Sequence, residues 1–236
     1  MTKSQGKDRY EIELAQAQLE ALKVRMNPHF IANVLTTIRS MIFKDPDAAY
    51  DALTAYSTLI RTTLENASKD YITLAAELFY IRNYIDIEEL RFTGKFTTRI
   101  IFMENLVPIN ILVPPTIFQP YIENAINHGL MHRSSDGVLI ISFKSDGKLL
   151  KCSIEDNGVG RQRSRELENP TLTGHTSLSE QITRERLALY NKIYKTSDFA
   201  IETTDITDTK GNVNGTKVEI QLPLKYIYNE NDLVRS

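Results

Sequence analysis

The N-terminal part of the chain has hydrophobic residues at helical spacing, whereas the remainder alternates between short apolar runs and turn residues. The first series is Ile12, Ala15, Leu19, Leu22 and Met26, at the spacing of a heptad seam. About two and a half heptads are too few for a coiled coil that is stable alone. The seam is typical of an amphipathic helix lying on its own domain, or of the end of a longer dimeric rod whose upstream part is absent from the chain.

Proline and cap signals predict three further helices in this N-terminal part. Asn27-Pro28 interrupts the seam, either as a kink or as the N-cap and first position of a new helix. Asp45-Pro46-Asp47 is a turn and cap signal that precedes a predicted helix over about 48–66. Thr73 opens a third helix that ends at about Phe92.

After Gly94 the pattern becomes that of a mixed α and β domain. It predicts strands over 96–103, 138–143, 149–155, 199–204 and 217–222, and helices over 114–130 and 178–194. Ser145-Asp146-Gly147-Lys148 is a strong hairpin signal between two of the strands. Residues 157–178 are polar and poor in apolar side chains, which predicts a long mobile loop with a function.

Composition supports this division and excludes several classes of protein. Of ten glycines, Gly6 alone falls within residues 1–92, so turns concentrate in the later part. With 42% hydrophobic and 25% charged residues the chain is globular, and a net charge of −2 gives no reason to expect nucleic-acid binding. The lone Cys152 excludes an internal disulfide and fits a reducing compartment. The apolar run 106–118 holds three prolines and is a poor membrane span, and the N-terminus lacks the apolar core of a signal peptide.

Two helical motifs carry polar groups suited to binding or group transfer. In Asn27-Pro28-His29-Phe30-Ile31-Ala32-Asn33, a histidine beside a proline is by itself more often structural than chemical. The second motif places a polar edge on the helix predicted over 114–130, which could simply border a cleft. The side chains of that edge are Glu123, Asn124, Asn127 and His128.

Two further motifs lie at strand ends. In Asp156-Asn157-Gly158-Val159-Gly160, a carboxylate that follows a strand could accept a hydrogen bond from an exocyclic amine such as that of adenine. The glycines would let the backbone pass close to a flat ring, although Asp-Asn-Gly also favours an ordinary turn. Asn214-Gly215-Thr216-Lys217-Val218 offers a second close approach and a hydroxyl, or another hairpin.

In this order the motifs resemble those of the LytS-like (YehU-like) sensor histidine kinases of two-component signalling, over nearly all of residues 15–224. Two further segments carry the resemblance near the last helix: His175-Thr176-Ser177-Leu178 and Ile182-Thr183-Arg184-Glu185-Arg186-Leu187. The helical part also has the spacing of that family, at Leu35, Tyr56, Leu59-Ile60-Arg61, Leu64-Glu65, Tyr84, Glu88 and Arg91-Phe92.

The resemblance implies an α+β fold, in which a helical dimerisation and phosphotransfer region precedes a Bergerat-type (GHKL) α/β sandwich ATPase domain with a mixed sheet. It implies four segments along the chain. These are a coiled-coil or signalling helix (1–26), the dimerisation and His phosphoacceptor region (27–92), the GHKL ATP-binding domain (93–228) and a tail (229–236).

The resemblance also implies an activity: autophosphorylation of His29 with ATP and Mg²⁺, in cis or in trans, followed by phosphotransfer to an aspartate of a response regulator. A neutral imidazole suits the acceptor role because it has a free nitrogen lone pair near physiological pH. The implied partners are a second copy of the chain and a receiver domain, with the LytTR type as one candidate, and no direct nucleic acid. The chain would be the cytoplasmic portion of an inner-membrane sensor, reaching the membrane only through an absent upstream segment.

Site roles follow from the same resemblance. Asn124 would bind Mg²⁺, Asp156 the adenine amine, and Glu123 is a candidate base. The other residues expected to line the nucleotide site are Asn127, His128, Gly158, Gly160, His175, Ser177, Gly215 and Thr216. Loop 161–178 would be a lid, in which Arg161, Arg163, Arg165 and His175 are candidates for phosphate contacts or else solvated side chains.

The sequence departs from the family pattern in four places. Ala32 stands where the family usually has a bulky aromatic residue, and Val34-Leu35-Thr36 where it often has Ser-Leu-Asn. Ser179-Glu180 replaces the usual glycine-rich turn of the lid, and no acidic residue is adjacent to His29. These departures motivate an alternative, a catalytically weak ATP-binding dimeric scaffold or pseudokinase. A third hypothesis is a metal hydrolase that uses His128 and His132, although no glutamate stands in the helper position.

Overall fold

The computed structural model describes residues 3–22, 28–67, 69–92, 94–103, 106–133, 136–168 and 178–227. Its α-helices are α1 (Lys3–Leu22), α2 (Pro28–Met41), α3 (Pro46–Ala67), α4 (Leu74–Arg91), α5 (Gln119–Asn124), α6 (Arg161–Glu168) and α7 (Leu178–Tyr194). Its strands are β1 (Ile72–Thr73), β2 (Phe96–Phe102), β3 (Ile111–Val113), β4 (Gly137–Ser145), β5 (Leu149–Asp156), β6 (Ala200–Thr207), β7 (Val213–Pro223) and β8 (Lys225–Tyr226).

Local capping explains where two of the predicted helices begin. The Asp45 carboxylate accepts a hydrogen bond from the Ala48 N–H at 3.0 Å, which satisfies one free donor at the start of α3. Thr73 Oγ1 accepts from the Ala76 N–H at the same distance and caps α4. Both cap signals were visible in the sequence, and both helices begin within two residues of the predicted position.

The larger sheet is mixed, as predicted. Its strand order is β2-β4-β5-β7-β6, with β2 parallel to β4 and the other neighbours antiparallel. Together with the four preceding helices it confirms the α+β class. A small second sheet, β1-β3-β8, escaped sequence analysis because its strands have two or three residues each, too few to show a pattern.

One face of the larger sheet forms the core. Along β4 the side chains alternate between buried and half-buried, with Leu139, Ile141 and Phe143 inward. The helix that begins at Gln119 continues from α5 into a π-helical turn, Ala125–Leu130, which contacts β4, β5 and β7. We call this continuous stretch, residues 119–130, the site helix. Phe118 immediately before it meets Phe143 edge to face, with ring centroids 5.4 Å apart.

Helix α4 contacts both the preceding helices and the strands of the mixed α and β domain. It packs against α2 and α3 on one side and contacts β2 and β3 on the other. Helix α1 packs along α7, and Ala15 and Leu19 of its seam are buried, as expected for an amphipathic helix lying on its own domain. None of the helices in the described part of the chain is long and apolar enough to cross a membrane.

Two predictions about secondary structure were wrong. The helix predicted over 114–130 begins only at Gln119, because Thr116 adopts a left-handed conformation with φ of 54° that cannot continue a helix. The segment predicted as one long loop over 157–178 contains a short helix, α6. Residues 169–177 lie outside the described part of the chain.

The aromatic contact between the site helix and the sheet predicts a large energetic effect. Phe118→Ala should reduce the free energy of unfolding by about 3–5 kcal/mol, because it removes a fully buried ring and leaves a cavity beside Phe143. Phe79→Ala, at a half-exposed position of α4, should cost about 1 kcal/mol or less. Urea unfolding followed by circular dichroism measures both, and equal losses would show that the Phe118 ring is not a core contact.

Candidate functional site

Asp156, the last residue of β5, lies at the centre of a tightly packed group of backbone segments. Its side chain is buried, and Oδ1 accepts a hydrogen bond from the Gly158 N–H at 2.8 Å. A Cβ atom on Gly129 of the site helix would come within 2.7 Å of this oxygen. A Cβ atom on Gly215 of β7 would come within 2.0 Å of the Asp156 carbonyl oxygen, at a φ of 140°. Glycine at both positions therefore allows the site helix to approach the Asp156 carboxyl group and β7 to approach the Asp156 backbone.

Gly158 and Gly160 allow similar contacts. A Cβ atom on Gly158 would lie 2.4 Å from the carbonyl carbon of Gly129, and one on Gly160 would lie 2.3 Å from Val213 Cγ1. The close approaches expected from these glycines are thus made, in this structure, between segments of the chain itself. These contacts pack the backbone closely around Asp156.

Burial raises the pKa of Asp156 to about 6, while hydrogen bonds from the Gly158 and Thr216 N–H groups lower it and the neighbouring Asp205 raises it. Asp156 and Thr216 are direct partners in the β5–β7 register, and Thr216 is also the partner of Asp205 in β6. The predicted adenine-binding pair is therefore adjacent. A buried, mostly ionised carboxylate beside a hydroxyl fits an exocyclic amine, which needs an acceptor.

Asn124, at the end of α5, has its amide directed by a residue of α7. Its Nδ2 lies 3.4 Å from Glu180 Oε2, and Glu180 also forms an ion pair with Arg184 at 2.9 Å. Because an ionised carboxylate only accepts hydrogen bonds, the amide nitrogen must face Glu180 and Oδ1 is left for another partner. An amide oxygen is a suitable ligand for Mg²⁺. Glu180, noted in the sequence only as a departure from the lid pattern, is thus a site residue that sequence reasoning missed.

Asn127 and Glu123 face α4 instead of the Asp156 group. Arg91 Nη2 donates to Asn127 Oδ1 at 2.6 Å, and the Asn127 amide nitrogen lies 3.5 Å from the Tyr84 hydroxyl oxygen. The buried Glu123 accepts from Gln119 at 2.6 Å, and the pKa of Tyr84 is raised first by burial and then by the charge of Glu123. These contacts engage both ends of the Asn127 amide within the protein.

The remaining predicted residues are dispersed. Arg161 makes a bidentate ion pair with Asp205 at 2.8 and 2.9 Å. Arg163 forms an ion pair with Glu166 at 3.0 Å. Both lid arginines therefore bind carboxylates of the protein in this structure. His128 lies half-buried in the π-helical turn of the site helix. His29 is in the first turn of α2, but its side chain lies outside the described part, as do the Arg165 side chain, His175 and Ser177.

The metal-hydrolase hypothesis finds no support in the described residues. Among them, no group of three or more histidine, cysteine, aspartate and glutamate side chains is placed to hold a metal ion. His128 and His132 therefore lack a third ligand of these types there.

The packing around Asp156 predicts a strong difference between two glycines. Gly215→Ala should reduce the free energy of unfolding by about 2 kcal/mol more than Gly211→Ala, because only the former places a methyl group against the Asp156 backbone. Gly211 also has a positive φ, 82°, but a Cβ atom there meets nothing within 4 Å, so it controls for backbone strain. Denaturant unfolding of both variants tests this, and equal losses would contradict the close approach.

Comparison with known proteins gives this geometry a family context. Residues 17–96, which include His29, match the family model described as histidine kinase. The chain is 29% identical to the sensor protein LytS of Staphylococcus haemolyticus over 182 residues, which is 75% of this chain and 31% of that protein. It is 34% identical to the sensor histidine kinase YpdA of Escherichia coli over 145 residues, 61% of this chain and 25% of that protein.

Among solved structures, the histidine kinase domain of the Erythrobacter litoralis EL346 blue-light activated kinase aligns with a TM-score of 0.44 and 18% identity. The alignment covers 90% of this chain and 96% of that one. The chain spans between a quarter and a third of the length of the sensor proteins it matches. The predicted resemblance is confirmed: residues 17–96 match the histidine kinase family model, and the chain is similar to the LytS-like sensor histidine kinases.

Proposed function

We propose that the chain is the kinase core of a two-component sensor: it binds ATP with Mg²⁺, phosphorylates itself on His29 and passes the phosphoryl group to an aspartate of a response regulator. The observation that carries the proposal is the buried Asp156 carboxylate, paired in register with Thr216 and facing the site helix that bears Asn124. The match of residues 17–96 to the histidine kinase family supports the phosphoacceptor half of the reaction, since it includes His29.

The nucleotide would be held at two places. Asp156 would accept a hydrogen bond from the adenine amine, with Thr216 beside it. Gly158, Gly160 and Gly215 would form the closely packed backbone of this part of the site. Asn124 would offer its amide oxygen to Mg²⁺, because Glu180 occupies the nitrogen side of the same amide. When bound, Mg²⁺ would offset negative charge on the phosphates. His128, His175 and Ser177 are further candidates in the same site.

The phosphoryl transfer itself would use His29 as nucleophile. An imidazole nitrogen would attack the γ-phosphorus, the bond from that phosphorus to the bridging oxygen would break, ADP would leave, and the imidazole N–H proton would pass to water. Glu123 is the sequence-derived candidate for the base. Its burial against α4 and its hydrogen bond to Gln119 favour a role in holding the site helix over proton transfer.

A second copy of the chain is the proposed partner of α2 and α3. These helices and the turn that joins them leave several large apolar side chains exposed, with Phe43 of the turn at 94% exposure. The others are Leu35, Ile42, Tyr50, Leu53 and Leu64. Exposed apolar groups on adjacent helices are typical of an interface, so we assign residues 27–92 to dimerisation and phosphotransfer, and 93–228 to ATP binding. Residues 1–26 would act as a signalling helix.

In the full-length protein we propose that this core is the cytoplasmic portion of an inner-membrane sensor. The aligned part of this chain covers 31% of LytS and 25% of YpdA, and both relatives are named sensors, which supports additional sensory segments. The proposed receiver of the phosphoryl group is a response regulator, with the LytTR type as one candidate.

The central prediction concerns His29. Incubation with γ-labelled ATP and Mg²⁺ should yield an acid-labile phosphoprotein, and His29→Gln should abolish the label because the acceptor nitrogen is gone. His132→Gln is the matched control and should label as the wild type does. Label that persists in His29→Gln would refute this acceptor. ATP binding measured by calorimetry without any labelling of the wild type would instead favour the scaffold alternative.

A second prediction concerns pH. Since the pKa of Asp156 is about 6, its carboxylate is largely protonated at pH 5 and largely ionised at pH 7. ATP affinity should therefore rise by up to about tenfold over this range, as the acceptor for the adenine amine appears. Asp156→Asn should bind more weakly at pH 7 and lose this part of the pH dependence, while the titration of the ATP phosphates remains in both proteins. Identical calorimetric pH profiles would exclude Asp156 as the acceptor.

A further inference from the structure

Helix α4 is attached to the site helix near its C-terminal end through Arg91. Arg91 Nη2 donates to Asn127 Oδ1 at 2.6 Å across 36 residues of sequence. Tyr84, about two helical turns earlier on α4, lies beside the nitrogen of the same amide. The contact therefore joins two helices that are distant in the chain. It reaches the site helix inside its π-helical turn, three residues after Asn124.

Arg91 is itself held firmly. Its Nε lies 3.2 Å from Glu88 Oε2, its Nη1 lies 3.2 Å from Glu88 Oε1, and its guanidinium lies 4.0 Å from the centroid of the Phe92 ring. A fork of this kind fixes the plane of the guanidinium as well as its position. Because Glu88 is completely buried, it depends on Arg91 for its counter-charge.

A second attachment lies before the site helix. Glu77 of α4 is 1% exposed, and its Oε2 accepts a hydrogen bond from the Thr116 N–H at 2.9 Å. Thr116 has the left-handed φ of 54° that delays the start of the helix to Gln119. From α7, Arg186 donates to the Pro115 carbonyl oxygen at 2.7 Å. The backbone that leads into the site helix is thus fixed by a buried carboxylate and a buried guanidinium.

We propose that Arg91 and Glu77 are positioning residues: from one face of α4 they hold the site helix on both sides of Asn124, and so fix the Mg²⁺-binding amide. A π-helical turn is rare and depends on its surroundings for stability, so the Arg91–Asn127 bond matters most for the stretch that follows Asn124. This inference deepens the proposed function, and its Mg²⁺ component rests on it.

The same helix also contacts α2 and α3, the elements assigned to phosphotransfer. Asn124 is therefore positioned by a helix that also packs against α3 and against α2, the helix that contains His29. Asn127, expected from the sequence to bind the cofactor, acts in this proposal as the anchor point of the site helix.

The first test needs no nucleotide. Arg91→Ala should increase amide hydrogen exchange in residues 126–130 at least tenfold, since the π-helical turn loses its bond to α4. Arg82→Ala, at an exposed position of the same helix, is the matched control and should leave exchange there unchanged. Glu77→Gln should increase exchange at residues 116–118 and leave 126–130 protected. Unchanged protection of 126–130 in Arg91→Ala would overturn the proposal, whether or not the protein proves to be a kinase.

The second test separates positioning from general destabilisation. Calorimetry with ATP in Mg²⁺ and with ATP in a chelator should show that Arg91→Ala weakens the affinity about tenfold more in Mg²⁺ than in the chelator, because the Asp156 carboxylate keeps its hydrogen bond from the Gly158 N–H. An equal loss under both conditions would indicate a merely structural role and contradict the proposal. A wild type whose ATP binding gains nothing from Mg²⁺ would refute the Mg²⁺ role of Asn124 in the proposed function, and the exchange experiment would still decide the positioning role.

Discussion

Burial of carboxylates around the site helix is the constraint on which this structure depends. Among the described residues, Glu77, Glu88, Glu123 and Asp156 are all buried, and each belongs to the site helix or contributes to holding it. A charge taken out of water must be met by donors or cations. Backbone N–H groups serve Glu77 and Asp156, and Arg91 serves Glu88. The positions of these partners determine where the helix can lie.

Desolvation raises the pKa of Glu77 and of Glu88 to about 7, so these contacts are sensitive to pH. In both cases the folded protein holds its proton more tightly than the unfolded chain, whose glutamates titrate near 4.5. Their contribution to stability is therefore fully present below about pH 4.5 and is lost as pH rises through about 7. Arg91 limits this loss for Glu88, as does Arg186 for Glu77, because a nearby cation favours the charged form.

Local signals accounted for much of the fold. Asp45 and Thr73 marked the starts of two helices, the 145–148 hairpin joined β4 to β5, and α7 begins and ends where the apolar spacing placed it. Such features depend on residues a few positions apart, which a single sequence displays. The late start of the site helix could not be predicted in this way, because Thr116 is held in its conformation by Glu77, 39 residues earlier.

The sequence by itself determined the chemical groups of the candidate site: an aspartate at a strand end, glycines where segments must approach closely, and a helix with an asparagine edge. Only the tertiary structure decided which way each amide faces. Asn124 is directed by Glu180, 56 residues later, and Asn127 by Arg91, 36 residues earlier. The physical reason is that a hydrogen bond of about 3 Å requires two side chains to be brought together by packing. No local spacing of residues specifies that packing.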